Sequence, residues 1–222
     1  MRLRVMLVSF CSIALSLLVL SPHRAVAGIT MIGNMASWQA SPSQSIDDKV
    51  FTWLGSSAGW DGSELVFISS NATADVHSLN LDTLTTYSGP LTLTVDYRID
   101  ITSNDVFAAI GLDTDTLAPN AAAYKDVFSS LSLLENAVGV GSGDLAALQA
   151  INGFPAWTTL PAIQQIWVRD TLQLNTTGQL NSVSNSVLQT VPEPSSVVLA
   201  GVAFAALTTW RSQRRPQRPT AA

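Results

Sequence analysis

Few groups of residues in this sequence have the types and spacing that chemistry requires. Gly55-Ser-Ser-Ala-Gly59 fits the Gly-x-Ser-x-Gly pattern of a nucleophile elbow. That pattern works at a strand-to-helix turn with an acid and a histidine further along the chain. Here Trp60-Asp61-Gly62 follows as a loop and His77 comes soon after without an α/β pattern, so a Gly/Ser hairpin loop is expected. Asp47-Asp48 and Asp113-Thr-Asp115 offer carboxylates to a cation, but Ca2+ takes roughly six to eight oxygens and the spacing of an EF-hand is absent. Aspartates making local side-chain turns account for them. Gly139-Val-Gly-Ser-Gly143 has the glycines of a phosphate cradle but no strand leading into it within a βαβ unit, and reads as a turn. The acids offer many possible glycosidase pairs, and no spacing singles one out. Trp38, Trp53, Trp60, Trp157 and Trp167 are a rich tryptophan set, with Trp157 in a Pro-Ala-Trp-Thr-Thr loop the best candidate for an exposed ring that stacks on a sugar. Asn71-Ala-Thr73 and Asn175-Thr-Thr177 are sequons read as chance matches.

Composition removes further classes. The chain has 222 residues, 47% hydrophobic and 12% charged, with one cysteine and two histidines. Cys11 sits in an N-terminal apolar run and His23 close behind it, leaving His77 as the only histidine from Gly28 onward. A disulfide, a cysteine-ligated zinc or a site of several imidazoles therefore has no residues to build it within one chain. Between Gly28 and Val191 only Lys49, Arg98, Lys125 and Arg169 face 15 acids, a net of −11. Four dispersed cations make no nucleic-acid footprint. No catalytic residue, cofactor or metal site is expected.

The elements that would position any site are strands. Leu91–Ile101 alternates apolar and polar residues throughout, which predicts a strand with Leu91, Leu93, Val95, Tyr97, Ile99 and Ile101 on one face. Ser88-Gly89-Pro90 and Thr102-Ser-Asn-Asp105 are turns on either side. Residues 49–54, 64–69, 75–79, 106–112, 163–174 and 179–190 read as further strands bounded by Gly, Asn, Asp, Ser or Pro. Residues 121–138 mix helix-favouring Ala, Leu and Glu with serine and leave the choice open, while 144–152 reads as a short helix capped by Asp144. The fold expected is an all-β antiparallel sandwich, jelly-roll-like, with short helical insertions.

The two ends read as addresses. Arg2 and Arg4, an apolar run from Val5 to Leu20 and Ala25-Val-Ala27 form a secretory signal peptide over residues 1–27, with cleavage between Ala27 and Gly28. After the secreted domain, 28–190, the tail at 191–218 opens with Pro192-Glu193-Pro194, where two prolines hold the chain extended. The apolar stretch Val197 to Trp210 follows; as a helix it is about 21 Å long, short of a ~30 Å bilayer core but extended by flanking Ser and Arg. Arg211, Arg214, Arg215 and Arg218 then form a stop-transfer cluster kept on the cytoplasmic side.

This tail resembles the PEP-CTERM sorting signal of bacterial surface proteins. The resemblance implies a Gram-negative-type, exopolysaccharide-making host and recognition of Pro192, Glu193 and Pro194 by an exosortase. It further implies that Val197–Trp210 is a transient inner-membrane helix and the arginines a stop signal. A looser resemblance to exosortase-dependent surface proteins lies in Ile46-Asp-Asp-Lys-Val-Phe-Thr-Trp-Leu54, where Asp47 replaces a common Gly, and in Ile166-Trp-Val-Arg-Asp170 and Leu180–Gln189. The function expected is an exported, non-enzymatic cell-surface or matrix protein with a structural or adhesive role in the exopolysaccharide or biofilm layer. Its expected partners are signal peptidase, exosortase and extracellular polysaccharide. A glycan-binding module, an exported hydrolase and an ice-binding protein are the alternatives, the last short of support because Thr92/Thr94 is a single stretch.

Overall fold

Alternating burial along most segments shows how the sequence makes sheets. In Leu91–Ile101 the residues from Leu93 to Ile101 at every second position are buried, while Thr92, Thr94, Asp96, Arg98 and Asp100 remain partly or fully exposed. The computed structural model describes residues 28–71, 76–116, 121–151, 154–175 and 179–190. The strands are β1 (Gly28–Asn34), β2 (Ser43–Ile46), β3 (Lys49–Ser56), β4 (Leu65–Asn71), β5 (Val76–Ser88) and β6 (Leu91–Ile101). They continue with β7 (Val106–Thr116), β8 (Ala121–Phe128), β9 (Ala146–Ile151), β10 (Ala156–Thr159), β11 (Gln165–Leu174) and β12 (Gln179–Thr190). Two short helices interrupt them, α1 (Met35–Ala40) and α2 (Leu131–Glu135).

The strands form two six-stranded antiparallel sheets, in the orders β1-β4-β5-β12-β7-β10 and β2-β3-β6-β11-β8-β9. Val66, Ile68, Leu79 and Leu81 of the first sheet pack against Phe51, Val95, Tyr97 and Ile99 of the second in one core. Fully burying such a side chain contributes on the order of 1.5–3 kcal/mol, and a second apolar cluster of Leu93, Leu112, Leu172, Leu174 and Val183 adds to the interior. α1 closes one part of this core. Asn34 caps it by accepting from Ser37 N at 2.8 Å, and Trp38 is fully buried against Trp53, with ring centroids 5.1 Å apart.

Three expectations are corrected. Residues 144–152 form no helix: Ala146–Ile151 is edge strand β9, paired to β8 with Ala146 opposite Val127 and Ala150 opposite Ala123. Ala and Leu favour helix only weakly, and an open sheet edge with a half-buried apolar face overrides that preference. Asp144 is no helix cap either; its carboxylate accepts from Ser129 N and Oγ at 2.9 and 2.7 Å. The open choice at 121–138 resolves into β8 followed by α2, capped by Ser130. Trp157 lies on strand β10 rather than in a loop. β5 and β7 also run past the ends expected for them, because Asp82 and Asp113 sit at outward strand positions that tolerate charge. Signal peptide, sorting motif, apolar tail and arginine cluster all lie outside the described residues. Among the described residues, no helix is long and apolar enough to cross a membrane.

Candidate functional site

The glycine-rich and acidic candidates resolve into structural roles. Ser57, the would-be nucleophile, prolongs the β3–β6 pairing: its N–H donates to Thr94 O at 3.0 Å, and its Oγ accepts from Thr94 N at 2.8 Å. A backbone N–H thus engages the hydroxyl, and the nearby Trp60 indole donates to the same Thr94 O. In the Gly139–Gly143 turn, Gly139 and Gly141 take φ of +73° and +79°. The N–H groups of Gly141 and Gly143 both donate to the Asp126 carboxylate at 3.0 Å. Successive backbone N–H groups in such a turn make an anion nest, and here the chain's own carboxylate fills it. Asp47 takes φ of +52°, a left-handed conformation natural to glycine. Its carboxylate faces His77 Nε2 at 3.2 Å, while Asp48 pairs with the Lys49 ammonium and accepts from Ser103 Oγ at 2.5 Å. Burial pushes the His77 imidazole below its usual range, reinforced by the charge of Lys49 and opposed by Asp47. Among the described residues, no three His, Cys, Asp or Glu side chains converge to hold a metal.

The four domain cations are all engaged with acids. Lys49 meets Asp48, Arg98 meets Asp100, Lys125 meets Asp170, and Arg169 grips Asp96 through Nε and Nη2 at 2.8 and 2.7 Å. The acids in excess of these pairs give the domain its net negative charge.

One outward surface sets an exposed aromatic ring beside a line of hydroxyls. Trp157 is 49% exposed, and its ring lies so close over Gly111 that a Cβ there would approach Trp157 Cε2 to 2.6 Å. Register places Ser186 beside Gly111, then Ser78, Ser69 and Ile29 in line across the first sheet. Ser78 and Ser186 hydroxyls are 2.8 Å apart. Six strands at about 4.8 Å spacing make this row roughly 24 Å long. It joins an aromatic face to a line of hydroxyls, with exposed Ile29 and Met31 at the opposite edge.

The least anticipated cluster is inside. Lys125 of β8 points into the sandwich with no exposure. Its Nζ donates to Asp170 Oδ1 at 2.6 Å, Asn185 Oδ1 at 2.6 Å and Tyr97 OH at 3.0 Å. Tyr97 OH donates in turn to Asp170 Oδ2 at 2.9 Å. Three of these residues come from one sheet, whereas Asn185 comes from β12 of the other. Burial pushes the Lys125 amine down and the Asp170 carboxyl up, each opposed by the other's charge. Burial, with the neighbouring Asp170 carboxylate, pushes the Tyr97 phenol well above its usual range. The Asn185 Nδ2 is buried and finds no hydrogen-bond partner among the described residues.

No curated protein matches the chain. Among solved structures it is similar to TmCBM61 in complex with β-1,4-galactotriose, at 9% identity and a TM-score of 0.33, covering 62% of this chain and 87% of that one. It is also similar to a family 11 carbohydrate-binding module from Clostridium thermocellum in complex with a β-1,3-1,4-mixed-linked tetrasaccharide, at 9% identity and a TM-score of 0.25, covering 76% and 93%. A further likeness is to the insecticidal crystal protein CRY2AA, at 11% identity and a TM-score of 0.23, covering 60% of this chain and 19% of that one. Residues 190–215 match the PEP-CTERM protein-sorting motif, beginning where β12 ends at Thr190. The chain therefore carries a C-terminal PEP-CTERM sorting signal, the mark of an exported protein targeted to an exosortase.

Proposed function

We propose that this protein is a surface or matrix component with a structural and adhesive role in an exopolysaccharide or biofilm layer, acting by display rather than by catalysis. The observation that carries the reading is the junction at Thr190, where a central strand of the sandwich passes directly into the sorting signal. β12 is hydrogen-bonded to β5 on one side and β7 on the other, so a domain held by this tail is held through the middle of a sheet. In this reading signal peptidase cuts between Ala27 and Gly28, leaving all described pairing intact, since β1 starts at Gly28 opposite Ser70. Residues 28–190 form the displayed domain. The exosortase reads Pro192, Glu193 and Pro194, Val197–Trp210 holds the inner membrane transiently, and Arg211, Arg214, Arg215 and Arg218 stop the helix from sliding through. Fractionation of cells producing a Glu193→Ala chain tests this: an uncut, membrane-bound precursor should accumulate. Normal release of that variant would refute the role of the motif.

A second reading, a glycan-binding module, is favoured by Trp157 and the serine row beside it. Aromatic faces stack on the apolar faces of sugar rings, and hydroxyls bond to sugar hydroxyls. A neutral polysaccharide suits this face better than a charged partner does. A glycan array probed with the intact protein and with Trp157→Ala tests it, and binding that survives the substitution would reject the face. The hydrolase alternative rests on pairs of acids, and the Ser57 hydroxyl, bonded to Thr94 N within the β3–β6 pairing, adds no support to it. For ice binding, Thr92 faces Gln173 and Thr94 faces a buried Thr171 on β11, so β11 adds no exposed threonine to the pair.

A further inference from the structure

We propose that Lys125 and Asn185 join in an intramolecular isopeptide bond, with Asp170 as the acid–base residue, covalently tying β8 of one sheet to β12 of the other. The inference stands on the geometry of the buried cluster and does not depend on the proposed function.

The chemistry requires an unprotonated amine, an amide held against it, a proton carrier touching the amine, and no water. Lys125 Nζ lies 2.6 Å from Asn185 Oδ1, one bond from the carbonyl carbon it would attack. Asp170 Oδ1 lies 2.6 Å from the same nitrogen, and Tyr97 OH bridges Nζ and Asp170 Oδ2. Val95, Val127, Val168, Val183 and Val187, all buried to 1% exposure or less, line the interior around these strands. Burial there pushes the Lys125 amine down and the Asp170 carboxyl up, in the direction of the amine and the carboxylic acid that are the reactive forms. Proximity then supplies part of what the uncatalysed reaction lacks, because the fold holds the amine and the amide in hydrogen-bond contact.

The step balances without a further reactant. A C–N bond forms between Lys125 Nζ and Asn185 Cγ, and the Cγ–Nδ2 bond breaks. Starting from the ion pair, Nζ gives up two protons: one stays on Asp170 and the other passes through Asp170 to Nδ2, which leaves as ammonia. Nothing is oxidised or reduced, and Asp170 ends as the neutral carboxylic acid. The arrangement before reaction has two unfavourable features, a buried ion pair and the Nδ2 donor with no partner among the described residues. Both disappear when the bond forms, since the charge is neutralised and the orphaned donor departs.

Trypsin digestion of the full chain, purified and denatured, followed by tandem mass spectrometry, tests the proposal. Cleavage after Arg98 and Arg169 isolates residues 99–169 from the peptide starting at Asp170, and an amidated Lys125 resists cleavage. The expected result is a single linked species lighter by about 17 Da, one ammonia, than the two peptides together. Its fragments should come from both strands. Separate peptides of unaltered mass in the wild-type chain overturn the proposal, with no reliance on any variant. So does the same loss confined to the Asp170 peptide, which marks ring closure at Asn185-Ser186 instead. Lys125→Arg and Asn185→Ala should abolish the linked species. Asp170→Asn should reduce it by at least tenfold, and linkage at the wild-type level in that variant removes Asp170 from the chemistry.

Discussion

Asn185→Ala is the substitution whose energetic effect the structure predicts most sharply. In a purely non-covalent cluster, it removes one hydrogen bond to a charged amine and also an amide N–H that has no partner among the described residues. The loss would be about 1.5–3 kcal/mol, with the departure of the orphaned donor pulling it toward the lower end. In a cross-linked chain the same substitution also frees a loop closed between residues 60 apart. The chain-entropy relation for a closed loop of that length gives roughly 4 kcal/mol at 25 °C, so the total reaches about 5 kcal/mol or more. For a domain of this size each kcal/mol corresponds to about 2–4 °C in Tm, so melting should fall by at least ~10 °C. Urea unfolding followed by tryptophan fluorescence reads a second signature. A cross-linked unfolded chain exposes less surface, so the denaturant slope m should rise in Asn185→Ala. A loss below about 3 kcal/mol with an unchanged slope would refute the covalent reasoning and leave an ordinary hydrogen bond.

Other perturbations test the remaining elements. Val95→Asp places an unpaired charge in the sandwich interior and should cost several kcal/mol, whereas Thr92→Asp on the exposed face of the same strand should stay within about 0.5 kcal/mol; equal losses in urea titrations would mean the register of β6 is wrong. His77 is the only histidine of the domain, and burial holds its folded-state pKa below 6.5. The unfolded chain therefore binds the extra proton first, and stability should fall as pH drops below about 6.5, by up to ~1.4 kcal/mol at pH 5.5. His77→Gln should flatten the urea midpoint between pH 7.5 and 5.5, and an unchanged slope would assign it to other groups. Gly111→Ala pushes a methyl into the Trp157 ring and should weaken glycan retention on an affinity gel much as Trp157→Ala does, while Ser37→Ala at the edge of α1 leaves it unaltered.

The sandwich was largely legible because period-two burial writes itself directly into sequence. β6 alternates without fault, and the bounds of β12 follow from its turn residues. β1, β2 and β10 lie outside the segments the sequence marks as strands, and β9 was not legible: its six residues of Ala, Leu, Gln and Ile carry helix propensity, and only the vacant edge of β8 makes a strand of them. The Lys125 cluster was hidden for a different reason. Ala121-Ala-Ala-Tyr-Lys-Asp looks like a helix with a solvated lysine, and Asn185 looks like one more polar residue in a serine-rich strand. Strand parity turns Lys125 inward with Ala121, Ala123 and Val127, but its partners arrive from residues 45 and 60 positions away. A signal did exist: an inward-parity lysine in an apolar strand demands a buried acid, and Asp170 at an inward position of β11 answers it.

The central claim, an exported sandwich released by cutting at its sorting signal, is tested most directly by the C-terminus of the mature protein. Mass spectrometry of the cell-surface and extracellular fractions should find a product that begins at Gly28, retains β12 through Thr190 and lacks residues 197–210. A mature surface product that still contains Trp210 would contradict the account and leave the tail as a permanent anchor.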